Sequence, residues 1–271
     1  MTVFLTIDPI AFTIGSLTVR WYGVVISLCL LLSVLLCCRE AKRQQLAEDN
    51  ILDILLLALP LAILGARAWY VIFHWDMYRG GSLLDLLAIW RGGSAIQGGL
   101  IVAFLVIYFY CRYKGLRFLQ MMDIVSLGLI LGQSLGRWAN FFNAEAYGPV
   151  IEEGSSWMWV PFKVWAEGAW HHPTFFYEFV WDLLAFVVLV IVMRRLHRYG
   201  GVFAGYLILY CLGRGLIEPL RQDQLQAGGI PVTMIVCAVG LIAGVLLLLL
   251  HIRKQPRVDV RNPFRPAPRR R

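Results

Sequence analysis

Seven stretches of the chain are almost free of charged side chains: Trp21 to Cys38, Ile51 to Phe73, Gly98 to Cys111, Leu119 to Trp138, Phe175 to Met193, Val202 to Glu218 and Ile230 to His251. Their apolar positions run on continuously instead of alternating, which points to helices and away from the strands of a membrane barrel. Most approach the ~20 residues that a helix needs to cross a bilayer. The third is short and borrows Ile96, with Gly92, Gly93, Gly98 and Gly99 crowding its entrance. The pattern predicts an all-α polytopic integral membrane protein of about seven transmembrane helices. Residues 1–252 form the membrane domain, with an external segment at 140–173, and residues 253–271 form a basic cytoplasmic tail.

Composition agrees: 59% of the 271 residues are apolar and 15% charged, values that exclude a soluble domain of this size and a disordered chain. Charge then sets the orientation. Seventeen Lys and Arg flank one set of ends (Arg39 to Arg43, Arg112 to Arg117, Arg194 to Arg198 and the tail), against five on the other, Arg20, Arg79, Arg91, Lys163 and Arg221. The bias puts the amino terminus outside and the carboxyl terminus in the cytoplasm. The first run lacks a basic segment before it and a small-residue cleavage site after it, so it reads as a retained helix. The basic excess is concentrated in the tail, which suits anionic lipid and gives no reason to expect nucleic acid. Cys29, Cys37, Cys38, Cys111, Cys211 and Cys237 lie in or at the ends of apolar runs without a CxxC pair, as packing residues do. Trp157, Trp159, Trp165 and Trp170 mark the external segment as a loop at headgroup level.

An arginine inside a bilayer requires a partner or a charged ligand, because insertion of the charge costs at least ~3 kcal/mol. Arg137 and Arg214 are such residues, and the same ends of the runs gather Tyr22, Gln97, Asn140, Glu145, His172, Tyr177, Glu178, Glu218 and Arg221. Arg137 and Asn140 share a helix face, and Glu145 and Gly148 fall where that helix should stop. Gly128, Gly132 and Gly136 form a small-residue stripe, best read as helix packing. Arg214 and Glu218 stand at i and i+4. A structural ion pair and a working pair are equally open there, and Pro219 predicts a kink or helix end that turns Arg221 off this face. His172 precedes Pro173 at the start of the fifth run, as a titratable group or a cap. The sequence has no HExxH, no cysteine pair at ligand spacing and no aspartate cluster; neither metal nor cofactor is expected.

The segment Gly136 to Gly148 resembles the signature G-R-x-x-N-F-x-N-x-E-x-x-G of the bacterial prolipoprotein diacylglyceryl transferases at every specified position. Further matches run through Arg20-Trp21-Tyr22-Gly23, Gly65 to Tyr70, Gly98-Gly99-Leu100, His172-Pro173-Thr174 with Tyr177-Glu178, and Arg214 with Glu218 and Arg221. The resemblance implies a multi-pass enzyme of the bacterial cytoplasmic (inner) membrane with its site toward the outer leaflet; a monomer is the separate expectation for its assembly. It would move the diacylglyceryl group of phosphatidylglycerol onto the lipobox cysteine of a prolipoprotein signal peptide, forming a thioether and releasing glycerol phosphate. The positions that match the family's essential residues are Tyr22, Arg137, Asn140, Glu145, Gly148, Arg214 and Glu218. Arg137 would bind the phosphatidylglycerol headgroup, with Gln97, Gly98, His172 and Arg221 as further substrate contacts.

The chemistry suits these residues, since displacement at a glycerol carbon needs no enzyme nucleophile. Guanidiniums stay charged in a low-dielectric site, bind phosphate oxygens in a fork and favour both the leaving oxyanion and the cysteine thiolate. The chain departs from the family at Gln97, where many members carry histidine in a base role, and glutamine accepts no proton at neutral pH. Either Glu145, Glu218 or His172 serves as base, or field-assisted ionisation of the thiol suffices; the second reading is favoured. His171, Phe175 and Arg221-Gln222-Asp223 also depart from the common pattern. A phospholipid transporter or flippase is the rival reading, and it predicts transport without a covalent product.

Overall fold

The computed structural model describes residues 9–15, 17–80, 82, 85, 86, 88, 93, 95–191, 198–222, 226, 227 and 229–251. The basic tail, Asp223 and the end of the fifth apolar run lie outside them. A hairpin of β1 (Ile10–Ile14) and β2 (Leu17–Arg20) leads into α1 (Trp21–Arg43), followed by α2 (Asp49–Phe73) and a single turn, α3 (Trp75–Tyr78). Next come α4 (Ile96–Lys114) and α5 (Phe118–Phe142), then a second hairpin, β3 (Val164–Ala166) and β4 (Ala169–His171). The chain continues through α6 (Thr174–Ile191), α7 (Gly201–Ile217), a short pair β5 (Gln226–Ala227) and β6 (Ile230–Pro231), and α8 (Val232–Leu246), which ends in a π turn, Leu247–His251.

Among the described residues, six helical segments are long and apolar enough to cross a membrane: Trp21–Arg43, Asp49–Phe73, Phe118–Phe142, Thr174–Ile191, Gly201–Leu220 and Val232–Leu250. The chain is an all-α polytopic membrane protein. Helix α4 corresponds to the short third run. It starts at Ile96 and closes through Arg112 and Lys114 onto Gly115, whose φ of 67° supplies the left-handed cap. Leucines such as Leu28, Leu35, Leu56 and Leu184 are more than half exposed, as side chains that face lipid are.

The chain divides into two compact units, Met1–Glu40 with Met122–Arg271, and Ala41–Met121. In the first, α5, α6 and α7 enclose a core of Leu127, Ile130, Ala185, Leu189, Val202 and Tyr206. The glycine stripe does what its spacing predicts: a Cβ on Gly128 would approach the Ser33 carbonyl at 3.1 Å and one on Gly132 the Ser33 hydroxyl at 2.7 Å, so α1 lies close against α5. Buried Asp123 of α5 accepts the Gly200 and Phe203 amides at 2.7 and 2.8 Å, capping α7 from another helix.

In the second unit, α2 packs against α4, and Arg67 is 2% exposed. Its guanidinium donates to three main-chain carbonyls, Leu86 at 2.9 Å, Gly93 at 2.8 Å and Asp85 at 2.7 Å, and lies over the Tyr78 ring at 5.2 Å. That set of bonds offsets the cost of burying the charge and fixes the segment before α4.

Candidate active site

The polar residues that collect at one end of the first unit come from the end of α5, the start of α6 and the end of α7. Helix α5 stops at Phe142. The chain then turns through Ala144 and Ala146 at φ 49° and 56°, with the Glu145 amide reaching back to the Asn140 carbonyl at 3.0 Å. The next residues pair with β4: Gly148 N–H donates to the His172 carbonyl at 2.8 Å, His172 N–H to Pro149 at 3.0 Å and Ile151 N–H to Trp170 at 2.6 Å. Thr174 donates its hydroxyl to the Ala146 carbonyl at 2.5 Å, and the His171 ring shares a 2.8 Å hydrogen bond with the Gly148 carbonyl. These bonds fasten the signature segment to the start of α6. The 140–173 connection is therefore more ordered than the loop its sequence suggests. Its hairpin turns at Glu167 and Gly168, both at positive φ (52° and 80°), with Trp165 opposite Trp170.

Gly148 is a point of close approach. A Cβ there would meet Thr174 Cγ2 at 2.9 Å, His172 Cβ at 3.1 Å and the Leu220 carbonyl at 3.1 Å. The residue thus locks the signature against both α6 and the turn after α7.

Glu178, on the first turns of α6, is the hub. Its carboxylate takes Arg137 Nη2 at 2.5 Å on one oxygen; on the other it takes Arg214 Nη1 and, at 3.5 Å, Arg221 Nη1. Arg214 also bridges back to Glu218 at 2.7 Å, its i+4 neighbour. The three guanidinium side chains are 15, 11 and 13% exposed and the two glutamates 3 and 2%, so the pairs sit in a medium far less screening than water. The Nε of Arg137 is buried and has no hydrogen-bond partner among the described residues. Guanidinium forks are always charged and match the geometry of a tetrahedral oxyanion as well as that of the carboxylates they hold here.

Of the residues singled out in the sequence, the structure brings Arg137, Arg214, Glu218 and Arg221 together. Arg221 departs from expectation, because the single 3-10 turn Glu218–Leu220, closed by the Arg221 amide on the Glu218 carbonyl at 3.0 Å, returns its side chain to Glu178. Asn140 lies one turn beyond Arg137, half-buried. Tyr22 opens α1 beside that helix end, where Trp21 stacks on Phe142 at 5.6 Å, and Glu145 is within its electrostatic reach. Glu145 itself is exposed and takes the Asn143 amide at 3.4 Å. His172 shares a 2.9 Å hydrogen bond with the Tyr177 hydroxyl, and burial holds its pKa below the usual histidine value. Gln97 and Gly98 open α4 in the second unit, where Gly98 is pressed against the Gly65 backbone and Trp69.

Comparison with known proteins gives the site its context. The sequence model of a family described as prolipoprotein diacylglyceryl transferase matches residues 9–250. The chain belongs to that family. Among its relatives, proteins named phosphatidylglycerol–prolipoprotein diacylglyceryl transferase from Streptococcus suis (strain 05ZYH33) and Clostridium botulinum (strain Langeland) are 41 and 40% identical over 256 and 253 residues. Each alignment covers 92% of this chain, with 94 and 99% of the respective relative. The protein of that name from Streptococcus uberis is 40% identical over 252 residues, covering 92% of this chain and 97% of its own.

Two residues of this family member carry more of the site than their sequence pattern suggests. Glu178 stands out in the sequence as one polar residue of that end and in the Tyr177-Glu178 match, without a role of its own, and Asp182 lies one turn further along α6, 3% exposed. Two carboxylates at i and i+4 within an apolar helix are as costly as the arginines and were the signal available.

Proposed function

We propose that the guanidinium cluster around Glu178 holds the phosphate of phosphatidylglycerol while the cysteine thiol of a prolipoprotein displaces it. The relatives' names give phosphatidylglycerol, prolipoprotein and diacylglyceryl transfer, and the observation that supports this site for it is the convergence of Arg137, Arg214 and Arg221 on one buried carboxylate. Arg137 binds the headgroup, its unpartnered Nε aimed at a phosphate oxygen. Arg214, held by Glu218, neutralises charge on the departing oxygen. The lipobox sulfur forms a bond to the terminal glycerol carbon of the diacylglyceryl unit. The carbon–oxygen bond to phosphate breaks, and glycerol phosphate leaves with the electron pair. The thiol proton is lost beforehand, as the positive field favours the thiolate.

The remaining assignments follow the same reading. Gly148 holds the signature turn, Asn140, Tyr22 and Glu145 line the approach at the end of α5, and His172 braces Tyr177 in its neutral form. By resemblance to the family Gln97 and Gly98 are substrate contacts, and glutamine does not act as base. With α4 spanning as well, the chain crosses the bacterial cytoplasmic membrane seven times, amino terminus outside, and the site opens toward the outer leaflet.

The test is mass spectrometry of a lipobox peptide incubated with the purified protein and phosphatidylglycerol. A diacylglyceryl increment on the cysteine is the expected product. Movement of the lipid between leaflets with no adduct would refute the proposal.

A further inference from the structure

A second polar layer lies along the helices that carry the cluster. Gln133 precedes Arg137 by four residues on α5, Asp182 follows Glu178 by four on α6, and Tyr206, Tyr210, Arg214 and Glu218 succeed one another at steps of four along α7 and its final turn. Such steps keep each series on one helix face. Gln133 donates to the Tyr206 hydroxyl at 3.1 Å, and the Tyr206 and Tyr210 rings stack at 5.6 Å. The groups that face Asp182 are Glu178 on its own helix, Arg137 on α5, and Tyr206, Tyr210 and Arg214 on α7. Asp182 is 3% exposed, and its Oδ2 has no hydrogen-bond partner among the described residues.

Charge balance gives this carboxylate a task. Arg137, Arg214 and Arg221 stand against Glu178, Glu218 and Asp182, a neutral set. A bound phosphodiester adds one negative charge, and an unbalanced charge in such a medium is costly. Protonating Glu178 or Glu218 would break short ion pairs to guanidiniums. Protonating Asp182 at its bare oxygen breaks none.

We propose that Asp182 is a positioning residue that takes up one proton when phosphatidylglycerol binds, which keeps the cluster neutral and leaves Arg137 and Arg214 free to turn to the phosphate. The proton comes from bulk water, binds Oδ2 and returns when glycerol phosphate leaves; no covalent bond in the lipid changes in this step. The inference rests on the donor site proposed above.

The experiment is calorimetric binding of short-chain phosphatidylglycerol to the purified full-length protein, in buffers of different ionisation enthalpy, together with KM for the lipid as a function of pH. Wild type is expected to take up close to one proton. Its KM should rise about tenfold per pH unit once free Asp182 has ionised. Asp182→Asn should bind without proton uptake and show a flat KM profile, and Asp182→Glu should restore the slope, which a purely structural role would not do. Absence of proton uptake in wild type overturns the proposal even if the Asn variant fails to fold, and so does an Asn variant that titrates like wild type. If Arg137→Ala binds the lipid as wild type does, the donor site itself is wrong; if it loses binding while Asp182→Asn titrates unchanged, only the proton coupling is.

Discussion

Replacing Glu178 by glutamine removes the one negative charge on which three guanidiniums converge and leaves the shape nearly unchanged. The Glu178 side chain is 3% exposed, and its partners Arg137, Arg214 and Arg221 are all mostly buried. An amide presents an NH2 donor to groups that are themselves donors, so at least one contact turns repulsive. Breaking a buried pair from one side costs about 3–5 kcal/mol, because the other charge stays behind. At ~2–4 °C per kcal/mol for a chain of this size class, the loss corresponds to roughly 6–20 °C in thermal midpoint. The variant site also carries an extra positive charge, so an anionic lipid should recover more stability in Glu178→Gln than in wild type. Thermal unfolding of both proteins in neutral detergent, with and without phosphatidylglycerol, measures the two effects. A midpoint within 2 °C of wild type, or a lipid shift no larger than that of wild type, would refute the ion-cluster reasoning.

Arg137→Lys keeps the charge and loses the fork, and thioether formation should fall at least ~100-fold; Gln97→Ala should cost far less in the same peptide assay, since glutamine is no base. Gly148→Ala forces a methyl against the Leu220 carbonyl and Thr174, with an expected loss of ~1–3 kcal/mol in thermal or denaturant unfolding. His172 has a folded-state pKa below its unfolded value of ~6.5. The unfolded chain therefore binds the proton first, and the stability that neutral His172 confers is present above pH 6.5 and lost as pH falls through it. The gap in thermal midpoint between pH 7.5 and pH 5.5 should narrow in His172→Gln.

The helices were legible in the sequence because lipid imposes one rule on every turn that faces it. The run Ile51 to Phe73 became α2, Asp49–Phe73, and Val202 to Glu218 became α7, Gly201–Ile217. Helix α5 extends past the expected end at Trp138 to Phe142, since Asn140 interrupts the apolar signal without interrupting the helix. The hairpins were not legible. Residues 164–166 form a strand only because 169–171 return alongside, and β pairing belongs to the partner as much as to the segment. The same holds for Glu178, whose importance comes from three arginines on α5, on α7 and beyond it. The return of Arg221 depends on how the turn Glu218–Leu220 around Pro219 closes, through the Arg221 amide on the Glu218 carbonyl, a tertiary outcome that the spacing alone leaves open.

Arg67 grips its segment by carbonyl oxygens, and every residue type has one. The grip on this contour is therefore set by main-chain oxygens, while the Asp85 side chain has a separate task and accepts the Ser82 amide at 3.0 Å. Position 67 has no latitude, because an ammonium on a lysine stem cannot reach three acceptors spread across a plane.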